Sequence, residues 1–244
     1  MEFANACELY RDSGLFGQPA NSVTSLAFVV GGIAIAADRK RGLHGRVPYA
    51  LLVIAVGAGS LVQHGPNPDW QAYAHDLPLA TLLAYVAADA AADLLGREVS
   101  PAWWLSVPVA MLPVVAASPA ASSVTQGGIA AAAIGLSLLR ARRRPGLRRT
   151  LISSTLILGA GALVGTIGDR TSLCQPGVLL QGHAFWHLMA ALALWRLAPA
   201  VGRRRSSALS TVPEDVHLVR PDRSPAARPA HQATPPPHHR RPTE

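Results

Sequence analysis

Apolar residues run along this chain in long blocks, at about 20–37, 47–65, 74–95, 102–117, 121–139, 150–168 and 178–199. Each block approaches the ~20 residues that a helix needs to cross a bilayer. The fourth is short and reads as proline-broken. Continuous blocks exclude a membrane barrel, whose strands would alternate apolar and polar positions. Ala, Gly and Ser recur within the blocks, and small residues let helices pack closely in lipid; Gly57, Gly59, Gly159, Gly161 and Gly165 are expected to serve that purpose. The pattern predicts an all-α, polytopic membrane protein with seven transmembrane helices over residues 1–200. Residues 201–244 are rich in Pro, Arg, Ser and His without apolar periodicity, which predicts a disordered basic tail. His231, His238 and His239 are expected to be solvated there.

Charge then orients the blocks. Only 15% of the 244 residues are charged, against about 25% in soluble domains. The net charge of +8 does not signal nucleic-acid binding, because the basic residues fall between apolar blocks and in the tail. Arg39, Lys40, Arg41 and Arg46 follow the first block, and Arg97 follows the third. Arg140, Arg142, Arg143, Arg144, Arg148 and Arg149 follow the fifth, and Arg203, Arg204 and Arg205 the seventh. The alternate loops hold Arg170 and little else that is basic. The positive-inside rule therefore puts the N-terminus outside and the C-terminus in the cytoplasm, which needs an odd number of crossings. The polar, acidic start "MEFANACELYRDSG" lacks the form of a cleavable signal peptide. A single lysine against many arginines suits a GC-rich, bacterial genome, and so a bacterial cell membrane.

Ionisable groups at membrane depth are costly and point to function. "GAGSLVQH" places Ser60 and His64 on one helical face at the end of the second block. "HDLPLA" sets His75 and Asp76 in the first turn of the third, and "GHAFWH" spaces His183 and His187 four apart in the seventh. In the predicted topology these groups share the outer leaflet. Three neutral imidazoles suit Zn²⁺ and leave a fourth position for water. Asp76 would then relay the proton and Ser60 would donate to a developing oxyanion. The competing reading makes each of them an interhelical hydrogen-bonding group, and His75 a helix-end residue or a rival ligand. Asp89 and Asp93, near Arg97, read as a solvated or ion-paired helix end. Cys7 and Cys174 both fall outside, where a disulfide would persist; two free thiols are the alternative.

These residues together resemble the alkaline ceramidase family, within the membrane-hydrolase superfamily that includes adiponectin-receptor-like proteins. The likeness runs through most of residues 5–198: "CELY" with "QPANSVTSLAF", "GAGSLVQH", "HDLPL", and "GDR" followed by Cys174 and "GHAFWH". It implies zinc held by His64, His183 and His187, catalytic neighbours Asp76 and Ser60, and a Cys7–Cys174 disulfide. It also implies cleavage of the amide of ceramide or a related N-acyl lipid, drawn from the membrane. Eukaryotic members hold calcium in the N-terminal segment. Glu8 matches that pattern here, whereas Asn5, Tyr10 and Gln18 stand where Asp, Asn and Glu are expected, and Ca²⁺ favours carboxylates. Other readings are a receptor-like or lipid-binding protein with structural zinc, an intramembrane serine hydrolase using Ser60, and a transporter, for which no inverted repeat is evident. Lipid headgroup, chain length and oligomeric state are not encoded legibly.

Overall fold

The computed structural model describes residues 7–11, 15–38, 46–171, 174–178 and 181–202. The expected disorder of the tail, the basic residues 39–41 and 203–205, and Asn5 lie outside them. The described residues form seven helices and no strand: α1 (Pro19–Ala37), α2 (Arg46–His64), α3 (Gln71–Leu95), α4 (Ala102–Ala117), α5 (Pro119–Arg143), α6 (Pro145–Arg170) and α7 (Gly182–Leu197). Five of them, α1, α2, α3, α5 and α6, are long and apolar enough to cross a membrane. The chain is a multi-pass membrane protein by this measure.

Three boundaries depart from the sequence reading. The fourth block is one helix, running through Pro108 and Pro113. Proline is tolerated in a lipid-exposed helix where local adjustment and neighbours satisfy the freed carbonyls. α5 and α6 extend through the arginines at their shared end, since arginine is a good helix former. The last helix starts at Gly182 rather than near 178.

The outside of the bundle is apolar. Val23, Val30, Leu51, Val109, Val124 and Leu156 are all more than half exposed, an arrangement that only lipid makes favourable. The core is aromatic and alanine-rich: Phe28, Tyr49, Val53, Leu82, Tyr85, Ala190 and Ala191 cluster in it. Tyr49 stacks on Tyr85 at 6.3 Å, and Tyr85 meets Trp104 edge-on at 5.1 Å. Small residues set the spacing. A Cβ on Gly59 would lie 1.9 Å from the carbonyl oxygen of Ala74. That carbonyl is the one Pro78, four residues on, cannot hydrogen-bond. Gly168 and Gly182 meet backbone to backbone, where an added Cβ would sit 2.7 Å from the opposite Cα. Gly57, Gly161 and Gly165 are packed in the same way, but Gly159 faces open space.

Polar groups gather at the two ends. At one end Arg140 of α5 reaches Asp93 at 2.7 Å and Asp89 at 2.9 Å, both on α3. Arg144 adds a contact to Asp93 at 3.5 Å, and the Gly202 amide donates to Asp89 at 3.1 Å. The two aspartates are thus buried and ion-paired across helices, not a solvated helix end. They fall one turn apart, so one guanidinium satisfies both. Removing one partner of a buried pair strands the other charge, at about 3–5 kcal/mol. Arg140→Met is therefore expected to destabilise the bundle by about that much, measured as reversible unfolding in detergent; a change under about 1 kcal/mol, the scale of an exposed pair, would show the cluster to be solvated.

Candidate metal centre

The opposite end assembles a site from helix termini. His64 closes α2, and His183 and His187 occupy the first two turns of α7. Their rings pack at 5.1 Å (His64 to His183), 5.1 Å (His64 to His187) and 4.7 Å (His183 to His187) between centroids. One nitrogen from each lies within 4.8 Å of the others, and no other group of three or more His, Cys, Asp or Glu among the described residues does this.

Each ring has its outer nitrogen engaged. Gln18 Oε1 lies 2.5 Å from His64 Nδ1. A carbonyl oxygen can only accept, so His64 carries its proton on Nδ1. Asp169 Oδ2 lies 3.5 Å from His183 Nδ1, an ion-pair contact longer than a hydrogen bond. Thr24 Oγ1 lies 3.2 Å from His187 Nδ1 and already donates to the Ala20 carbonyl at 2.8 Å. It therefore accepts from His187 as well. The rings of His64 and His187 are thereby left with a lone pair on Nε2. The Nε2 of His64 is buried with no partner, an arrangement that otherwise carries a desolvation cost. Three converging imidazoles, two of them donating their one N–H to an oxygen and the third beside a carboxylate, fit Zn²⁺.

The N-terminal segment builds this support. Cys7 and Cys174 form a disulfide with 5.5 Å between Cα atoms. Beside it, Glu8 accepts from the backbone amides of Ala20 at 2.8 Å and Asn21 at 2.9 Å. Those are orphan donors in the first turn of α1, and Gln18 at the N-cap makes no side-chain cap of its own. Glu8 thus caps α1 and releases the Gln18 side chain. Gln18 Nε2 then donates to the Glu8 carbonyl at 2.6 Å while its amide donates to His64 O at 2.8 Å. Both oxygens of Glu8 are spent on the helix, and Gln18 is turned toward His64. Glu8, the residue that matches the family's calcium pattern, caps α1 here.

Ser60 and Asp76 flank the trio differently. Ser60 is buried, 3.4 Å from His187 Nε2 and 2.8 Å from Ser25 Oγ. Ser25 donates to the Asn21 carbonyl at 2.7 Å, so it is free to accept from Ser60. Asp76 does not join the imidazole cluster. Its Oδ1 accepts from His75 Nδ1 at 2.7 Å and its Oδ2 from Ser122 of α5 at 2.5 Å. His75 is thus a partner of Asp76 rather than a member of the metal group. The site opens on the side of His183, into a cleft of about 320 Å³ lined by Thr166, Asp169, Arg170 and Trp186.

Sequence reasoning named the trio, Ser60 and Asp76, yet missed Thr24 and Ser122. A hydroxyl in an apolar helix carries no signal of its partner. Comparison with protein-family models and with curated proteins finds no match for the chain. Partners that orient metal-bound histidines are typically worth ~10–100-fold in metal affinity. Gln18→Leu is expected to weaken zinc binding by roughly that factor, read by competition with a chromophoric chelator; unchanged affinity would show that Gln18 does not orient His64.

Proposed function

We propose that the protein is a zinc-dependent intramembrane hydrolase that cleaves the amide bond of ceramide or a related N-acyl lipid, in keeping with its resemblance to alkaline ceramidases. The observation that carries this reading is the convergence of one ring nitrogen from each of three histidines, with His64 and His187 hydrogen-bonded on the far side of their rings and Asp169 beside His183. Structural zinc sites close with four protein ligands, whereas catalytic ones keep an open position. No fourth His, Cys, Asp or Glu joins the trio among the described residues, which favours catalysis over a receptor-like protein with structural zinc.

In this reading His64, His183 and His187 hold the ion. Bound zinc supplies Lewis acidity and makes water nucleophilic near neutral pH. Ser60 donates a hydrogen bond to the carbonyl oxygen as charge develops there. The Asp76 carboxylate takes the proton of the attacking water and returns it to the amine nitrogen as the C–N bond breaks. The products are a fatty acid and an amine. The cleft beside His183 gives the polar linkage access.

The proposed topology has all seven helices crossing, the N-terminus outside and the C-terminus cytoplasmic. Two features support it. Arg140, Arg142, Arg143, Arg148 and Arg149 collect where α5 meets α6, as cytoplasmic loops do. The disulfide follows the far end of α6, as an oxidising exterior requires. The zinc site then belongs to the outer leaflet of a bacterial cell membrane.

His183→Ala should abolish both bound zinc and release of fatty acid from N-acyl lipids, with zinc read by elemental analysis and products by mass spectrometry. Equal zinc in wild type and variant would sink the metal assignment. Hydrolysis that survives chelation would sink the mechanism.

A further inference from the structure

Asp76 sits in a donor chain that the proposed mechanism does not use. Ser122 is buried and donates its hydroxyl proton to Asp76 Oδ2 at 2.5 Å. Gln126, one turn later on α5, donates from Nε2 to Ser122 Oγ at 3.0 Å. An amide N–H can only donate and an ionised carboxylate can only accept, so the direction of the chain is fixed from Gln126 through Ser122 to Asp76. The Ser122 proton has no alternative target in it.

Gln126 also hydrogen-bonds the Asp76 carboxylate directly, and a further bond comes from His75, its neighbour on the same turn of α3. That bond moves with α3 and cannot register the carboxylate against the rest of the bundle. Ser122 belongs to another helix. It lies in the first turn of α5, behind Pro119 and the Ser118 cap, which accepts from the Ala121 amide at 3.1 Å. The positive end of that helix faces an anion there. α5 supplies none of the three imidazoles, and Ser122 and Gln126 are its links to the site.

We infer that Ser122 and Gln126 are positioning residues for amide hydrolysis, holding the Asp76 carboxylate in register with the zinc-binding histidines through a directed hydrogen-bond chain from α5. The inference rests on the hydrolase reading above. Misplacement of a catalytic group by about 1 Å can cost ~100-fold in rate, and a carboxylate on two rotatable bonds needs an anchor outside its own helix.

The test compares wild type, Ser122→Ala, Ser122→Thr and Gln126→Ala as purified full-length proteins, measuring kcat, KM and zinc content with a panel of N-acyl lipids. Ser122→Ala is expected to lower kcat roughly 10- to 100-fold, the scale of a lost hydrogen bond to a charged group, with KM and zinc unchanged. Ser122→Thr keeps the hydroxyl and should restore most of kcat. Gln126→Ala, which leaves the shorter Ser122 bond in place, should give a smaller fall. Wild-type kcat in Ser122→Ala overturns the inference, as do loss of zinc or a Ser122→Thr variant as impaired as the alanine. If Ser122→Ala does not fold, Gln126→Ala decides: lowered kcat with full zinc sustains the inference, and unchanged kcat overturns it. A wild type that cleaves none of the panel defeats the hydrolase reading and this inference with it, whereas an active wild type beside an unimpaired Ser122→Ala defeats this inference alone.

Discussion

The imidazole cluster depends on the polar contacts that its rings make on the side away from their meeting point. An imidazole offers an ion a lone pair only from the nitrogen that carries no proton, and that choice is made on the opposite side of the ring. Gln18 and Thr24 make it for His64 and His187, and Asp169 lies beside His183. None of the three lies on the helix of the histidine it serves. Lipid offers no competing hydrogen bond, so the bundle must supply each acceptor itself.

The acceptor at position 18 shows how far this requirement reaches. Gln18 is free to hold His64 because Glu8 caps α1 in its place. Glu8 is brought there by the segment that the Cys7–Cys174 disulfide ties down. That cross-link also anchors the loop leading into α7, which carries the other two histidines. One covalent bond thus constrains both sides of the imidazole cluster. At its neighbours the close approaches at Gly59 and at Gly168 with Gly182 bring α2 against α3 and α6 against α7. The second contact is what lets Asp169, the next residue after Gly168, reach His183.

The same economy governs the far end of the bundle, with charge in place of lone pairs. Asp89 and Asp93 would be costly in a helix interior were each not paired to Arg140. The apolar middle of the bundle separates this ion-paired end from the histidine end. The ion pairs and the imidazole contacts are made within their own clusters, and the exposed large side chains of the helices are Val, Leu, Ile and similar residues.

Helix number, the extent of each helix to within a few residues, and the pairing of Ser60 with His64 and of His183 with His187 on common faces were determined by local pattern. Periodicity and block length depend only on nearby residues, and lipid makes that signal strong. A common depth for the ends of α2 and α7 was legible too, since chain direction sets depth. The tertiary structure decided the rest. Glu8 became a cap, α4 ran on through its prolines, and Asp89 and Asp93 found Arg140 some fifty residues away. Asp76 was drawn to Ser122 on α5. Depth along the membrane normal can be counted from the chain, but which helices touch, and how each is rotated, arises only when side chains from all of them compete for the same space and the same few hydrogen-bonding partners.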